Sequence, residues 1–486
     1  MTRLAESRRE HAEEPGGGSR GGGSGSRRGD LLVAALAVVL VALAAGVGAL
    51  LLARGVPILV DAPPLLAVWM PHVGPGTPVA VLTAVAVVVR GPELATRLGW
   101  RPLLALAYAA SVLWTVSLAL IDGFSQGFAT RLTSLFEYLH EVPRITDIPA
   151  FLRSFAALVP SFQPGYWTTH VAGHPPLATL IYVWLDRVGL GGGTAASTVT
   201  VLVGCSGVVA VAVALRALGA EHHARAVLPF AVLFPGAVWV GVSADGMFAA
   251  ILAWGVALTA LAAARDRAGH RAAGAGLGLA AGVVLGASLF CNYGLAVALL
   301  IPLAVLVLAR SWRPALPAVV GAAGVAATFA AAGFWWYDGY TQLLVRYGQP
   351  GEFGAMRPYS YFVWANLATL VLVVGPATVV GLRRVGGDAL RAARRRVRGV
   401  PGRVPRDAGA DRARLVVAGL CCAALAAVAL ADLSGLSKAE VERIWLPFAL
   451  WLLPAAALIP RDRVRGWLAA QAVVALAVNH LLLTTW

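Results

Sequence analysis

The sequence predicts an all-α, polytopic membrane protein of about thirteen transmembrane helices. Of its 486 residues, 59% are hydrophobic and only 13% charged, and the mean hydropathy is +0.75. Soluble domains carry roughly twice that share of charge. Apolar runs of about 20 residues, the length that crosses a hydrocarbon core, recur along nearly the whole chain. The basic residues are gathered in short segments between these runs, as the positive-inside bias requires.

Residues 1–30 are rich in Gly, Ser, Arg and Glu and read as a disordered cytoplasmic tail. This stretch is too long and too polar for a cleaved signal peptide, and no small-residue cleavage site follows it. Two spans, 31–53 and 75–90, form an amino-terminal unit over 31–98. The core, 99–486, is expected to hold spans at 102–121, 195–215, 226–242, 247–264, 273–290, 294–309, 315–334, 361–382, 415–431, 445–460 and 466–484. The stretch 175–189 is also apolar. Counting it as a span would turn the eleven arginines between Arg383 and Arg414 outward, against the bias. It therefore reads as an interfacial helix, hinged to the next span by Gly191-Gly192-Gly193. The 383–414 segment then reads as a cytoplasmic arginine-rich loop.

With that choice 30 of the 39 basic residues fall on the cytoplasmic side. The amino terminus lies inside, the carboxyl terminus outside, and the longest polar segment, 121–193, faces outward. The charge of +15 is topological, so nucleic acid is not an expected partner. Cys205, Cys421 and Cys422 lie within spans and Cys291 at a span end, which implies neither a disulfide nor a zinc framework.

The outward inventory holds the chemistry. It carries Asp122, Glu137, Glu141, His170 and His174 in 121–193, then Asp245, an aromatic loop from Trp335 to Tyr361, and Asp432 to Glu442. Outward cations are few: among them are Arg346, Arg357, Arg443 and Lys438, the only lysine in the chain. Cations held outside against the bias need a reason, and an anionic lipid headgroup is one.

The run Gly173-His174-Pro175-Pro176-Leu177 through Leu190 resembles the His-Pro-Pro-Leu segment of GT-C membrane glycosyltransferases. The protein O-mannosyltransferases and the lipid A aminoarabinose transferases are the groups it looks most like. Three further pieces are similar to family segments: Ile121-Asp122-Gly123 at a span end, Ser243-Ala244-Asp245-Gly246 opening a span, and Glu442-Arg443-Ile444-Trp445-Leu446-Pro447 late in the chain. Asn292 stands where the family carries a lysine, and Asp122 is single rather than paired.

The resemblance implies transfer of a sugar from a polyprenyl-phosphate donor at the outer surface of the cytoplasmic membrane. The acceptor would be a glycan, lipid or protein, and membrane lipids would surround the site. A carboxylate must take the acceptor proton, and cations or a divalent metal must meet the phosphate charge. Asp122 is the expected catalytic base. His174, Asp245, Lys438, Glu442 and Arg443 are expected to bind the donor, and no metal ligand is specified. The heavy use of Ala, Arg and Gly fits a high-GC bacterial genome and hence cell-envelope glycans.

Plainer roles exist for each residue. Asp122 could end its helix in an Asp-Gly turn, His174 could set the Pro-Pro helix start, and Asp245 could cap its span. Arg443 could snorkel to headgroups, Glu440 and Glu442 could form a solvated turn, and Trp335-Trp336-Tyr337 could form an aromatic belt. Two rival classes remain open: a transporter or flippase, and a non-catalytic lipid-binding membrane protein. A transporter should show paired halves and mid-membrane charges, and neither is legible here.

Overall fold

The computed structural model describes residues 22–397 and 408–484. The polypeptide is almost entirely helical, in keeping with an all-α polytopic membrane protein. The principal helices are α1 Gly22–Ala53, α2 Thr77–Arg97, α3 Trp100–Ala119 and α4 Leu177–Leu185. They continue with α5 Gly193–Ala217, α6 Glu221–Val232, α7 Ala244–Arg267, α8 Arg271–Cys291 and α9 Leu295–Ala309. The last six are α10 Ala315–Ala331, α11 Trp336–Gly348, α12 Tyr359–Val397, α13 Ala408–Leu433, α14 Leu446–Leu458 and α15 Val464–Leu481.

Among the described residues, eight helices are long and apolar enough to cross a membrane. The other five expected spans fall on shorter or broken helices. The 226–242 segment breaks at Phe234-Pro235-Gly236, because a proline removes a backbone donor and pushes the preceding residue out of the helical region. The 445–460 segment falls into two short helical pieces, Leu446–Ala449 and Leu453–Leu458, each with a proline in its first turn. Helix α10 meets α11 at a bend of 73°, and α9 and α15 are compact single helices.

Two expected boundaries move. Residues 1–21 of the expected tail lie outside the described residues, but α1 begins at Gly22 rather than at 31. Asp30 thus lies within the helix, 1% exposed, and accepts from Arg383, Arg384 and Arg463. The expected 383–414 loop is largely helix: α12 runs to Val397 and α13 starts at Ala408, with 398–407 outside the described residues. Arg, Ala and Leu are strong helix formers and extend both helices beyond the apolar stretch.

The helices pack through small residues. Gly278, Gly282 and Gly286 line one face of α8, and a Cβ on Gly282 would stand 1.9 Å from the Ala318 carbonyl oxygen of α10. This spacing lets two backbones approach closely, which is where membrane helices gain dispersion energy in place of a hydrophobic drive. Trp114, Trp239, Trp445 and Trp451 fill the centre and are at most 1% exposed. Outward faces of α1 and α2 are apolar and open, as lipid contact requires.

Helix α12 is interrupted at Gly375-Pro376, where Gly375 adopts φ 76°. The interruption would leave backbone groups unpaired. Gln471 of α15 answers it: its Oε1 accepts from the Ala377 N–H at 3.2 Å and its Nε2 donates to the Val374 carbonyl at 3.1 Å. The Gly236 N–H donates to Val373 as well, at 2.9 Å. Among the described residues, the only paired strands are a short antiparallel couple, β1 Ala67–Trp69 with β2 Leu482–Thr484.

The connections fall into two groups. At one end Asp30 meets Arg383, Arg384 and Arg463, and Asp266 meets Ser311 and Arg313. At the other, here the loop end, the 121–193 segment meets the α7 start, the α11 region and the turn before α14. Helix α4 belongs wholly to the loop end. At its start the His174 ring lies against Tyr138. Beyond its far end Arg187 donates to the Thr146 carbonyl at 2.9 Å, and a Cβ on Gly193 would meet the Ala129 carbonyl. Helical turns continue through Asp186–Leu190, and even these fourteen residues span only about 21 Å, short of a hydrocarbon core.

Candidate functional site

His174 precedes Pro175 and is extended, as the residue before a proline must be. Its Nδ1 lies 2.9 Å from the His170 carbonyl and 2.9 Å from the Tyr138 hydroxyl. A carbonyl can only accept, so Nδ1–H donates to it, and Nε2 is left with the lone pair in the neutral ring. That Nε2 stands 3.9 Å from Oδ1 of Asp245.

Asp245 opens α7 and is 1% exposed. Ser243 caps this helix, accepting from the Gly246 N–H at 3.4 Å, and the helix dipole favours a carboxylate in this first turn. Arg443 donates to Asp245 Oδ2 at 2.6 Å, and the Asn292 amide donates to Oδ1 at 3.4 Å.

Arg443 is the hub. Its second nitrogen donates to Glu440 at 2.7 Å and to His170 Nε2 at 2.8 Å. On its other nitrogen, His170 donates to Glu137 at 3.0 Å. Arg357 reaches Glu440 at 2.8 Å from the opposite side. Burial opposes the charge on Arg443, yet Asp245, Glu440 and Glu137 hold its pKa above the ordinary guanidinium value. Burial would likewise raise Glu440, but Arg443 and Arg357 hold its carboxyl down at about 2. Ala439 and Glu440 both sit at positive φ, 67° and 60°, a strained backbone for residues with side chains. Such strain persists where the surroundings over-determine it, here through the two guanidiniums that grip Glu440.

His170, Arg443, Glu440 and Arg357 border a cavity of about 520 Å³, with Asp245 and Glu137 held behind them as their partners. Its lining combines His170, His174, Arg443, Glu440, Arg357 and Lys438 with Tyr293, Trp336, Tyr340 and Tyr347 and the apolar Val297, Leu430 and Ala431. Lys438 donates to the Gly354 carbonyl at 2.7 Å and lies 5.4 Å from the Tyr347 ring centre. Among the described residues, no three His, Cys, Asp or Glu side chains converge as metal ligands; the lining carries the guanidinium groups of Arg443 and Arg357 and the Lys438 ammonium. Such a lining can hold a phosphate and leave a histidine lone pair beside a fixed carboxylate.

The structure brings together four of the expected residues, His174, Asp245, Lys438 and Arg443. It does not bring Asp122 or Glu442 to the cavity. Asp122 pairs with Arg131 at 2.5 Å and with His72 at 2.7 Å, and Arg131 also donates to the Thr484 carbonyl at 2.6 Å. Those contacts tie the 121–193 segment to β2, so Asp122 is committed elsewhere. Glu442 is fully buried and turns away: its Oε1 accepts from the Leu66 N–H at 3.1 Å, while Oε2 has no hydrogen-bond partner among the described residues. Burial without a cation in direct contact pushes its carboxyl up to about 7.

Sequence reasoning placed Glu137, His170, Arg357 and Glu440 among the outward polar groups without joining them into the network around Arg443, and it passed over Tyr138. The spacing of His170 and His174, four apart, was a usable signal, since it stacks two side chains on one helical face. Glu137 and Tyr138 sit in a loop of short turns and reach the site only through its tertiary course. No protein-family model, no curated protein and no solved structure matches this chain.

Proposed function

We propose that the chain is an integral membrane glycosyltransferase of GT-C type. It would carry a sugar from a polyprenyl phosphate to a hydroxyl acceptor on the outer face of the cytoplasmic membrane. The observation that carries this reading is the cavity lining in which Arg443, Arg357 and Lys438 stand with His174, backed by the buried Asp245. The His-Pro-Pro-Leu resemblance supports it, as does the grouping of expected outer loops at one end and of arginine-rich segments at the other. Thirteen passes, with an inner amino terminus, belong to the same proposal.

In this reading the donor phosphate meets the guanidinium and ammonium groups, whose fixed charges need no reorganisation as the leaving group gains charge. The acceptor oxygen attacks the anomeric carbon, and the bond from that carbon to the phosphate oxygen breaks, its electron pair staying on the phosphate. The acceptor proton passes to Nε2 of His174, and the Asp245 carboxylate stabilises the imidazolium so formed. His170 and Glu137 act by holding Arg443 in place. The base assignment thus passes from Asp122 to His174.

The test is donor turnover in nanodiscs, read as release of polyprenyl phosphate by mass spectrometry from mannosyl, glucosyl and galactosyl polyprenyl phosphates with envelope lipids or glycans as acceptors. One donor should turn over, and His174→Gln should lower its rate by about 10² to 10⁴ with donor still bound. No release from any donor, together with unchanged envelope glycans in a deletion strain, would overturn the reading.

A further inference from the structure

The Asp30 end carries a second cavity, of about 560 Å³, bordered by the starts of α1 and α15. Asp30 belongs to its lining but is 1% exposed, its charge met by Arg383 at 2.9 Å, by Arg463 at 3.1 Å and by Arg384. One carboxylate balances one cation, and three are present. The segments that meet here, 27–30, 383–384 and 461–465, hold seven arginines and two aspartates. The second acid, Asp462, pairs with Arg463 at 3.4 Å. Arg27, at the cavity, meets no carboxylate among the described residues. The surplus of positive charge is therefore not neutralised by the acids of these segments.

The lining has a helical order. Arg27 and Leu31 are four apart on α1, and Arg463 precedes Gly466, Trp467 and Ala470 by three, four and seven positions on α15, so each set shares one helix face. Both helices run from this end toward the loop end. On each, the arginine stands at the rim and the apolar residues lie one or two turns deeper. Leu31 is 55% exposed, and a Cβ on Gly466 would meet nothing within 4 Å, so the groove is open beside both helices. A cationic rim above an apolar groove has the order of a phospholipid, phosphate first and acyl carbons below. A soluble anion would leave the apolar half unused. The positive-inside bias asks for arginines at this end, but not for a groove aligned beneath them.

We propose that this groove binds an anionic phospholipid of the leaflet at the Asp30 end, with its phosphate between Arg27 and Arg463 and an acyl chain along Leu31, Trp467 and Ala470. A guanidinium suits that phosphate, because its planar fork donates two parallel hydrogen bonds. The site lies at the opposite end from the His174 cavity and does not depend on the donor reading.

The test is native mass spectrometry of the full chain in detergent, titrated with dioleoyl phosphatidylglycerol, dioleoyl phosphatidylcholine and glycerol 3-phosphate. Phosphatidylglycerol should bind about tenfold more tightly than phosphatidylcholine, and glycerol 3-phosphate should not displace it at equal concentration. Arg27→Gln should weaken phosphatidylglycerol about fivefold, whereas Arg28→Gln, the same change of charge one residue along and outside the lining, should not. Gly466→Phe keeps every charge but fills the groove, and should weaken it about tenfold with the melting temperature unchanged. Equal losses in Arg27→Gln and Arg28→Gln would reduce the effect to general attraction of acidic lipid to a basic surface and overturn the site. Binding untouched by Gly466→Phe, or equal affinity for the two lipids, would overturn it as well. Displacement by glycerol 3-phosphate would assign the arginines to a soluble anion and overturn the lipid.

Discussion

Arg443 and Asp245 stand 198 residues apart in the chain and meet at 2.6 Å, joining the turn before α14 to the first turn of α7. Both are buried, so the pair holds only because Glu440, His170 and Asn292 complete its hydrogen bonds. A lysine cannot reproduce the planar fork that reaches three partners at once. Arg443→Lys should weaken donor binding by about tenfold to a hundredfold in nanodisc titrations, with the protein still folded. Unchanged affinity would reduce Arg443 to a structural tie.

Glu442 makes stability depend on pH. Its carboxyl is raised from an ordinary 4.5 to about 7 by burial, so the folded state disfavours its charge. The associated stability is fully present below about 4.5 and is lost as pH rises through about 7. Glu440 works in the opposite sense: its contribution is present above about 4.5 and is lost as pH falls from there through about 2, outside the window of Glu442. Thermal unfolding of the wild type should therefore shift to lower temperature between pH 4.5 and 7. Glu442→Gln should flatten that dependence, and a persistent slope in the variant would assign it to another group.

Asp122→Asn distinguishes the two bases directly. The substitution leaves Arg131 buried without its counter-charge, at a cost of about 3–5 kcal/mol. Melting temperature should fall, while donor turnover measured well below that temperature should change far less than in His174→Gln. A fall in turnover of 10² or more with stability intact would return the base to Asp122.

Helix α4 makes a topological prediction. Both of its flanks contact the 121–193 segment, so Asp186 and Thr194 should lie on one side of the membrane. Single cysteines at these positions, in a background with Cys422 replaced, should both react with an impermeant reagent applied from outside. Labelling of Thr194 only from the cytoplasm would defeat the arrangement.

Much of the helical layout was legible because apolar length and charge placement are properties of the chain itself. Backbone continuity was not. The run 226–242 is apolar throughout, but Pro235-Gly236 breaks it, and hydropathy does not register a missing N–H. Within the site, His174, Asp245 and Arg443 carried local signals, because each sits at a helix start or a turn with a distinctive spacing. Asp122 carried the same kind of signal, but its ion pairs with His72 and Arg131, away from the cavity, were not legible, since the approach of His72 is encoded by no local pattern. Glu442 and Glu440 differ by two positions and face opposite ways, a distinction set by the left-handed backbone at Ala439 and Glu440.

The bridge from Gln471 to the broken helix α12 has a consequence for biosynthesis. The Val374 carbonyl and Ala377 N–H emerge from the ribosome about a hundred residues before the amide that satisfies them. Until α15 arrives, α12 carries exposed polar groups that lipid cannot satisfy. A chain truncated before 464 would therefore keep an open wound in its middle, the kind of feature that membrane proteases recognise. The last helix thus acts as the closing stitch, and Gln471→Leu should reproduce the fate of the truncated chain at full length.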